Sequence, residues 1–204
     1  MLISGIIVGE LYTNCYLVSN KSECIIIDPG ADPNKIIEFL QSKKLTPKLI
    51  ISTHYHADHI GGVKKLVEKF DIDFALGKND LYYLDNQPTW VSNLITSYEK
   101  PPLPDILLSD GEKINIIGLE IKIIATPGHT PGSICIYLED NIFTGDTLFK
   151  NGIGRGDLPG GDIDEEISSI KKKLLNLPDD VNVFPGHGES TKIINEKNNN
   201  IYLE

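Results

Sequence analysis

Short apolar runs separated by turn residues dominate the first part of the chain, and they predict β-strands. The first three runs, rich in Ile and Val, are residues 2–8, 14–19 and 24–27. A helix is then expected to begin after Asp32, because Asp32 is a suitable N-cap and Pro33 suits the first helical position. This helix is predicted to reach about Lys43.

Strands and helices alternate along the rest of the chain. Further strands are predicted at residues 48–52, 113–117, 119–125, 133–138, 141–144 and 181–184. Helical spacing of apolar residues predicts a helix over 63–70 and another after Asp162 or Asp164, with Ile163, Ile167, Ile170 and Leu174 on one face. Strand-rich blocks that each end in a helix fit two sheets packed face to face with helices outside. Periodicity alone does not choose this arrangement over other α/β folds.

Residues 77–108 interrupt the alternation. They contain Trp90, the only tryptophan, and the rigid segment 101–104. We expect a helical insertion near the functional site, followed by a loop, within a single domain of residues 1–204. The aromatic residues of this segment either wall a lid or pack the insertion onto the core, and we favour packing. They are Tyr82, Tyr83, Trp90 and Tyr98.

Composition excludes several classes of protein. The net charge of -10 disfavours a nucleic-acid partner, which clustered basic residues would bind. No apolar run reaches the roughly 18 residues that a membrane span needs. The N-terminal segment lacks the basic start of a signal peptide. Cys15, Cys24 and Cys135 lack the spacing of a disulfide framework or a thiolate metal site. We therefore expect a cytoplasmic protein.

Candidate chemistry is concentrated where predicted strands end. The segment His54-x-His56-x-Asp58-His59 follows the strand at 48–52. Because side chains at i and i+2 of a strand point the same way, His54 and His56 can face one metal ion. Asp58 and His59 diverge from that pair and can serve a neighbouring position.

The remaining histidines follow the same rule. His129, Asp146 and His187 each end a predicted strand and are flanked by Gly or Pro. Imidazole and carboxylate groups together are typical of zinc-type sites. We predict a metal site that uses all five histidines together with Asp58 and Asp146.

The motifs THYHADHIGG, TPGHTPGS, FTGDTLF and PGHG resemble those of the metallo-β-lactamase superfamily in order and spacing. Within it, the chain resembles the short glyoxalase II-like (hydroxyacylglutathione hydrolase-like) branch. The resemblance covers nearly the whole chain and implies an α/β fold, the αββα four-layer sandwich, with its site at the edge between the sheets. It also implies that no C-terminal glutathione-binding helical domain is present.

The resemblance assigns the ligands to two metal positions. His54, His56 and His129 would hold the first ion, Asp58, His59 and His187 the second, and Asp146 would bridge them. Asp58 and Asp146 are the expected catalytic carboxylates. Two divalent ions are expected, with Zn as the first choice and Fe or Mn as alternatives.

The implied activity is hydrolysis of a small-molecule thioester, such as S-D-lactoylglutathione or a related acyl-thiol, by a hydroxide shared between two metals. The alternative is a mononuclear iron persulfide dioxygenase acting on glutathione persulfide. A structural metal site is disfavoured because structural zinc sites are rich in thiolate ligands.

Three residues are candidates for substrate binding. Arg155 is the only arginine and lies in a glycine-rich segment, so its planar guanidinium is expected to bind a substrate carboxylate. A salt bridge to Asp157 is the alternative. In glyoxalase II the matching positions carry a lysine and a tyrosine near glutathione. Tyr12 and Asn14 are weaker candidates on an early loop, and Asp28 is expected to be a turn or supporting residue rather than a ligand.

Overall fold

Two six-stranded sheets form the centre of the protein in a computed structural model that describes residues 1–86 and 98–204. The first sheet contains, in spatial order, β1 (Leu2–Val8), β2 (Thr13–Asn20), β3 (Glu23–Ile27), β4 (Thr46–Ser52), β5 (Asp73–Gly77) and β6 (Ile106–Leu108). The second contains, in spatial order, β14 (Thr191–Lys192), β13 (Asn182–Pro185), β10 (Asn141–Gly145), β9 (Ile134–Leu138), β8 (Leu119–Ala125) and β7 (Lys113–Ile116). A separate ribbon pairs β11 (Leu148–Phe149) with β12 (Gly152–Ile153).

The pairing of the strands fits their connections. Strands β1 to β3 are antiparallel neighbours, whereas β3 to β6 run parallel. The second sheet is antiparallel except for the β10–β13 pair. The described helices are α1 (Pro33–Lys43), α2 (Ala57–Ile60), α3 (Val63–Phe70), α4 (Leu81–Asp85), α5 (Ile163–Ser169) and α6 (Ile193–Asn199). A wider helical turn, Ile170–Leu174, continues α5.

Both faces of the central strands are buried, which explains their nearly continuous apolar runs. In β3, Ile25 and Ile27 face the second sheet, while Ile26 packs under α1 and α3. In β10, Phe143 lies between the sheets and Ile142 packs beneath the turn that follows α5. Layers of helix, sheet, sheet and helix confirm the predicted αββα sandwich.

The two predicted helix caps have different outcomes. Asp162 caps α5, because its carboxylate accepts a hydrogen bond of 3.0 Å from the Glu165 N–H. Asp32 precedes α1 but makes no capping hydrogen bond, so that predicted interaction is wrong. With φ at 48°, its backbone is left-handed, and its carboxylate accepts the Gly9 N–H at 3.0 Å instead.

The apolar face predicted after Asp162 begins later than expected. Ile170 and Leu174 are fully buried, but Ile163 is 43% exposed. The buried face of α5 instead includes the carboxyl side chain of Glu166.

The predicted insertion is helical at its start and ends earlier than expected. Residues Lys78–Asp80 form a 3₁₀ turn before α4, whereas Ile106–Leu108 belong to the first sheet as β6. Tyr83 and Tyr98 pack against the core, while Tyr82 is 68% exposed. Trp90 lies outside the described residues. Within the described ranges, none of the helices is long and apolar enough to cross a membrane.

Candidate metal centre

The seven predicted ligands follow strand ends at one edge of the sandwich. His54 and His56 follow β4, and His129 follows β8. Asp146 comes directly after β10 and His187 two residues after the end of β13, and these two strands are parallel neighbours that end on the same side. Asp58 and His59 lie in α2, the short helix into which the β4 segment turns.

The ligand atoms converge into three overlapping groups, within each of which all ligand atoms lie within 4.8 Å of one another. These groups are His54, His56 and His129; His54, His59 and Asp146; and Asp58, His59 and His187. The structure thus brings together all seven residues that the sequence singled out.

Individual distances fit donor atoms that share an ion. His56 Nδ1 lies 2.9 Å from His129 Nε2, and His187 Nε2 lies 3.1 Å from Asp58 Oδ2. Asp146 lies between the groups, with Oδ1 3.3 Å from His59 Nε2 and Oδ2 3.7 Å from His129 Nε2. Two ligands at about 2.0–2.1 Å from a tetrahedral ion are themselves about 3.3 Å apart.

Backbone carbonyl groups fix the tautomers of two of the histidines. His129 Nδ1 lies 2.9 Å from the Arg155 carbonyl oxygen, and His187 Nδ1 lies 3.0 Å from that of Leu11. A carbonyl oxygen only accepts hydrogen bonds, so Nδ1 carries the proton in both rings. Nε2 is then free to bind a metal, an arrangement typical of histidine ligands.

Asp28 fixes two further histidines. It accepts the Thr53 hydroxyl at 2.8 Å and the Thr53 N–H at 2.7 Å, and its Oδ2 lies 3.0 Å from His59 Nδ1. Because the Thr53 hydroxyl donates to Asp28, its oxygen accepts from His54 Nδ1, 3.0 Å away. Asp28 is therefore a supporting residue, as expected from the sequence.

Several buried polar atoms at the centre have no hydrogen-bond partner among the described residues. They include His54 Nε2, His59 Nε2 and Asp146 Oδ1. Leaving such an atom unsatisfied costs about 1–3 kcal/mol. Coordination of a metal ion would satisfy groups of this kind, so the donor set fits a metal centre.

The two ends of the cluster differ in their charge. Burial, followed by the neighbouring histidines, holds the pKa of His54 well below its usual value and lowers the pKa of His56 to about 3. At the other end, burial lowers the pKa of His187, but hydrogen bonds to Asp146 and Asp58 outweigh it and raise the pKa to about 9. His54 and His56 are therefore neutral at neutral pH, whereas a metal that bound His187 would have to displace a proton.

Two glycines allow the chain segments to approach the centre closely. Gly62 donates its N–H to the Pro29 carbonyl at 2.8 Å, and a Cβ there would lie 2.7 Å from that oxygen. A Cβ at Gly186 would overlap Asp146 Oδ1 and lie 2.6 Å from His59 Cε1. Larger residues at either position would displace a ligand-bearing segment.

Comparison with known proteins agrees with this geometry. The family profile of the metallo-beta-lactamase superfamily matches residues 8–187. The chain belongs to the metallo-β-lactamase superfamily.

Relatives within the superfamily match along almost their full length. The probable metallo-hydrolase YqgX of Bacillus subtilis is 37% identical over 200 residues, covering 96% of this chain and 94% of YqgX. The hydroxyacylglutathione hydrolase GloC of Haemophilus influenzae is 35% identical over 208 residues, covering 100% of this chain and 98% of GloC. These relatives support a metal-dependent hydrolase.

Two solved metallo-β-lactamase-fold structures superpose closely. The BLEG-1 B3 metallo-beta-lactamase has a TM-score of 0.91 and 34% identity, with 99% of each chain covered. TTHA1623, in a di-iron-bound form, has a TM-score of 0.90 and 35% identity, covering 98% of this chain and 100% of that one.

A cavity of about 470 Å³ opens onto the side chains that are predicted to bind metal. Asp58, Asp146 and three of the histidines line its floor. Its walls are the side chains of Leu11, Phe149, Ile153, Leu158 and Pro159, together with Gly154 and Arg155. The cavity is therefore polar at the centre and apolar around it.

Of the three predicted substrate-binding residues, Arg155 lines this cavity, whereas Tyr12 and Asn14 are not among its lining residues. Arg155 lines it, but its guanidinium forms the ion pair with Asp157 that the sequence left as the alternative. Asn14 donates its side-chain amide to the carbonyl groups of Pro185 and Gly188, both at 3.0 Å, and so holds the His187 loop. Tyr12 is 72% exposed, and its neighbour Leu11 forms the wall instead.

Two buried carboxyl groups near the centre, those of Asp80 and Glu166, were not identified from the sequence. Asp80 accepts hydrogen bonds from the Tyr55 N–H (2.9 Å), the Gly132 N–H (2.6 Å) and the Thr130 hydroxyl (2.9 Å), and so joins the His54–His59 segment to the His129 loop. Burial raises its pKa to about 7.

Glu166 is the second missed carboxyl group. It accepts the Gly154 N–H at 2.9 Å, and its Oε2 has no partner within the described part of the chain. Burial raises its pKa to about 8. The only sequence signal for it is a charged residue next to the apolar positions of α5.

Proposed function

We propose that this protein is a metal-dependent hydrolase of acyl-thiol esters. The observation that carries the proposal is the placement of Asp146 between two groups of histidine and carboxylate ligands at the floor of a cavity. S-D-Lactoylglutathione is the first substrate to test, because the relative GloC is described as a hydroxyacylglutathione hydrolase.

The residues have separate tasks. His54, His56 and His129 would hold one ion, Asp58, His59 and His187 a second, and Asp146 would contact both. Two metal ions at these positions would activate water and polarise a carbonyl group. Asp58 accepts the Thr13 hydroxyl at 3.2 Å and lines the cavity, so its carboxylate is placed to orient water and take its proton.

The wall of the cavity favours a thioester over an ester or amide. Hydrolysis forms a C–O bond from water, breaks the C–S bond and returns a proton to the departing thiolate. A thiol has a pKa of about 8.5, so its thiolate leaves without a strong acid. Among the described residues that line the cavity, no side chain outside the predicted ligands is a Ser, Thr, Tyr, Lys or Cys that could protonate a poorer leaving group.

Two ions are proposed rather than one. Seven ligands exceed what a single tetrahedral ion uses, and the relative TTHA1623 is described in a di-iron-bound form. Zn, Fe and Mn all suit histidine and carboxylate ligands. The mononuclear iron persulfide dioxygenase, which needs one ion, is the competing hypothesis.

A matched pair of variants tests the proposal. Asp146→Asn removes the charge between the two ligand groups and is expected to lower kcat/KM for S-D-lactoylglutathione or a simple acyl-thiol by about 100-fold or more. Asp140→Asn, the same change at an exposed position after β9, is expected to leave it unchanged. Equal rates in the two variants, or hydrolysis of a β-lactam but of no thioester by the metal-loaded protein, would refute the proposal.

A further inference from the structure

The charge of the cavity wall bears on which thioester the protein accepts, and this inference rests on the proposed thioester hydrolysis. Apart from the predicted ligands, the described wall consists of apolar side chains, Gly154 and Arg155. Arg155 is the one residue of this wall that could attract an anionic part of a substrate.

Arg155 is already paired with a carboxylate, although both side chains are exposed. Its Nε donates to Asp157 Oδ1 at 2.9 Å and its Nη2 donates to Asp157 Oδ2 at 2.8 Å. This is the planar bidentate geometry in which a guanidinium would otherwise bind a substrate carboxylate. Asp157 thus occupies one of the two edges of the guanidinium that can bind a carboxylate in this way.

Lys150, the residue next to Phe149 of the cavity wall, does not replace Arg155. Lys150, between β11 and β12, forms an ion pair with Glu189. The sequence of residues 87–97, which precedes the described part that resumes at residue 98, contains no Lys, Arg or His. The protein as a whole carries a net charge of -10.

Apolar side chains also line the surface next to the cavity, on which the Arg155–Asp157 ion pair lies. A second depression, of about 450 Å³, shares Ile153, Gly154 and Arg155 with the cavity and continues to Ile163 and Tyr202. Asp157 and Gly156 also line this depression, so a group that extends from the ligand centre in this direction meets the Arg155–Asp157 pair together with Ile163 and Tyr202.

We propose that the cavity selects thioesters whose thiol part is uncharged, and that Asp157 is a specificity-determining residue that disfavours anionic thiols by pairing with Arg155. Glutathione carries two carboxylates and one ammonium group, so its esters place negative charge against a wall without a free cation. An uncharged thiol avoids this penalty.

Two substrates with the same acyl group test the proposal. The probes are S-butyryl-N-acetylcysteamine, which is uncharged, and S-butyrylglutathione, which is anionic. The wild-type, metal-loaded protein is expected to favour the uncharged ester in kcat/KM by about tenfold or more. Asp157→Asn frees Arg155 and is expected to shift this ratio about three- to tenfold towards the glutathione ester, through KM rather than kcat.

Two controls separate specificity from structure. Adding Arg155→Met to Asp157→Asn is expected to remove the shift, because the freed guanidinium causes it. Glu120→Gln makes the same change in net charge at the exposed Lys113–Glu120 pair and is expected to keep the wild-type ratio.

The results distinguish failure of this inference from failure of the proposed function. A wild-type preference for the glutathione ester, or a shift in Asp157→Asn that persists without Arg155, would overturn the selectivity while leaving thioester hydrolysis in place. Hydrolysis of neither ester would overturn both.

Discussion

Three of the five histidines at the centre present Nε2 to it because a hydrogen bond to a fixed oxygen atom holds Nδ1. For His129 and His187 that oxygen is a backbone carbonyl, and for His54 it belongs to Thr53. His59 Nδ1 lies 3.0 Å from Asp28 Oδ2. His56 differs, because its Nδ1 faces His129. Fixed tautomers reduce the cost of ordering the ligands when metal binds.

Metal binding at the position formed by Asp58, His59 and His187 is expected to depend on pH. His187 has a pKa of about 9, and the three nearby carboxylates also hold the pKa of His59 well above its usual value despite burial. Metal must therefore displace protons there, and affinity should rise by about tenfold or more per pH unit towards pH 9. His54 and His56 are neutral already, so affinity at their position should change little.

Titration of metal-free protein with Zn²⁺ at about pH 6 and about pH 8 measures this difference. The weaker of the two binding constants should belong to the position of Asp58, His59 and His187, and it should be the one that changes with pH. If both binding constants changed equally with pH, the claim that His54 and His56 are neutral while His59 and His187 are protonated would be contradicted.

Glu166 is expected to make the protein less stable as pH rises. Its folded pKa of about 8 exceeds its ordinary value of 4.5, so the folded state is favoured while the carboxyl group is protonated. The free energy of unfolding should therefore decrease as the pH rises from about 4.5 to about 8. Glu166→Gln keeps an acceptor for Gly154 and cannot ionise, so it should be more stable by about 1–3 kcal/mol near pH 8 and little different near pH 4.5.

Urea unfolding of wild type and variant across this range, in the same metal state, checks the effect. Glu165→Gln, at the exposed neighbouring position, serves as the control. Parallel pH profiles for wild type and Glu166→Gln would show that Glu166 does not control this loss of stability.

At the scale of elements, the centre depends on connections between loops that are distant in sequence. Asp80, in the turn before α4, joins the segment after β4 to the loop after β8. Tyr55 adds a second connection, because its hydroxyl donates to the Pro159 carbonyl at 2.8 Å. The ligand loops are therefore held from outside the ligand set.

Asp80→Ala is expected to lower the free energy of unfolding by about 3 kcal/mol or more, because it removes the buried acceptor of the Tyr55 N–H, the Gly132 N–H and the Thr130 hydroxyl, of which only the hydroxyl has another partner, Ser133 Oγ. It should also weaken metal binding, since His56 and His129 lose their common support. Asp85→Ala, in the exposed pair with Lys100, should change stability by less than about 0.5 kcal/mol. Similar urea midpoints for the two variants would contradict the role of Asp80.

Strong local patterns made most elements predictable from the sequence. The bounds of α1 and α3 match because Pro33 and the apolar spacing from Val63 are local signals. Strands β5 and β6 of the first sheet were missed, and the three residues of β6 gain their strand structure from pairing with β5. The Asp32 cap failed because Gly9, distant in sequence, takes its carboxylate.

At the scale of the whole molecule, two sheets deliver strand ends to one edge, and this places the ligands. The ligands were predictable because their residue types and strand-end positions are visible in the sequence. The cavity wall was not, because Leu11, Phe149 and Leu158 are ordinary apolar residues until the fold collects them. The Arg155–Asp157 pair was predictable only as one of two alternatives, since sequence spacing does not fix rotamers.

Metal content and thioester hydrolysis, measured on one sample while metal is added to metal-free protein, test the proposed activity most directly. The expected result is about two ions per chain at saturation, with hydrolysis of an acyl-thiol rising as the second ion binds. Saturation at one iron per chain, with oxygen consumed in the presence of glutathione persulfide and thioesters left intact, would contradict it.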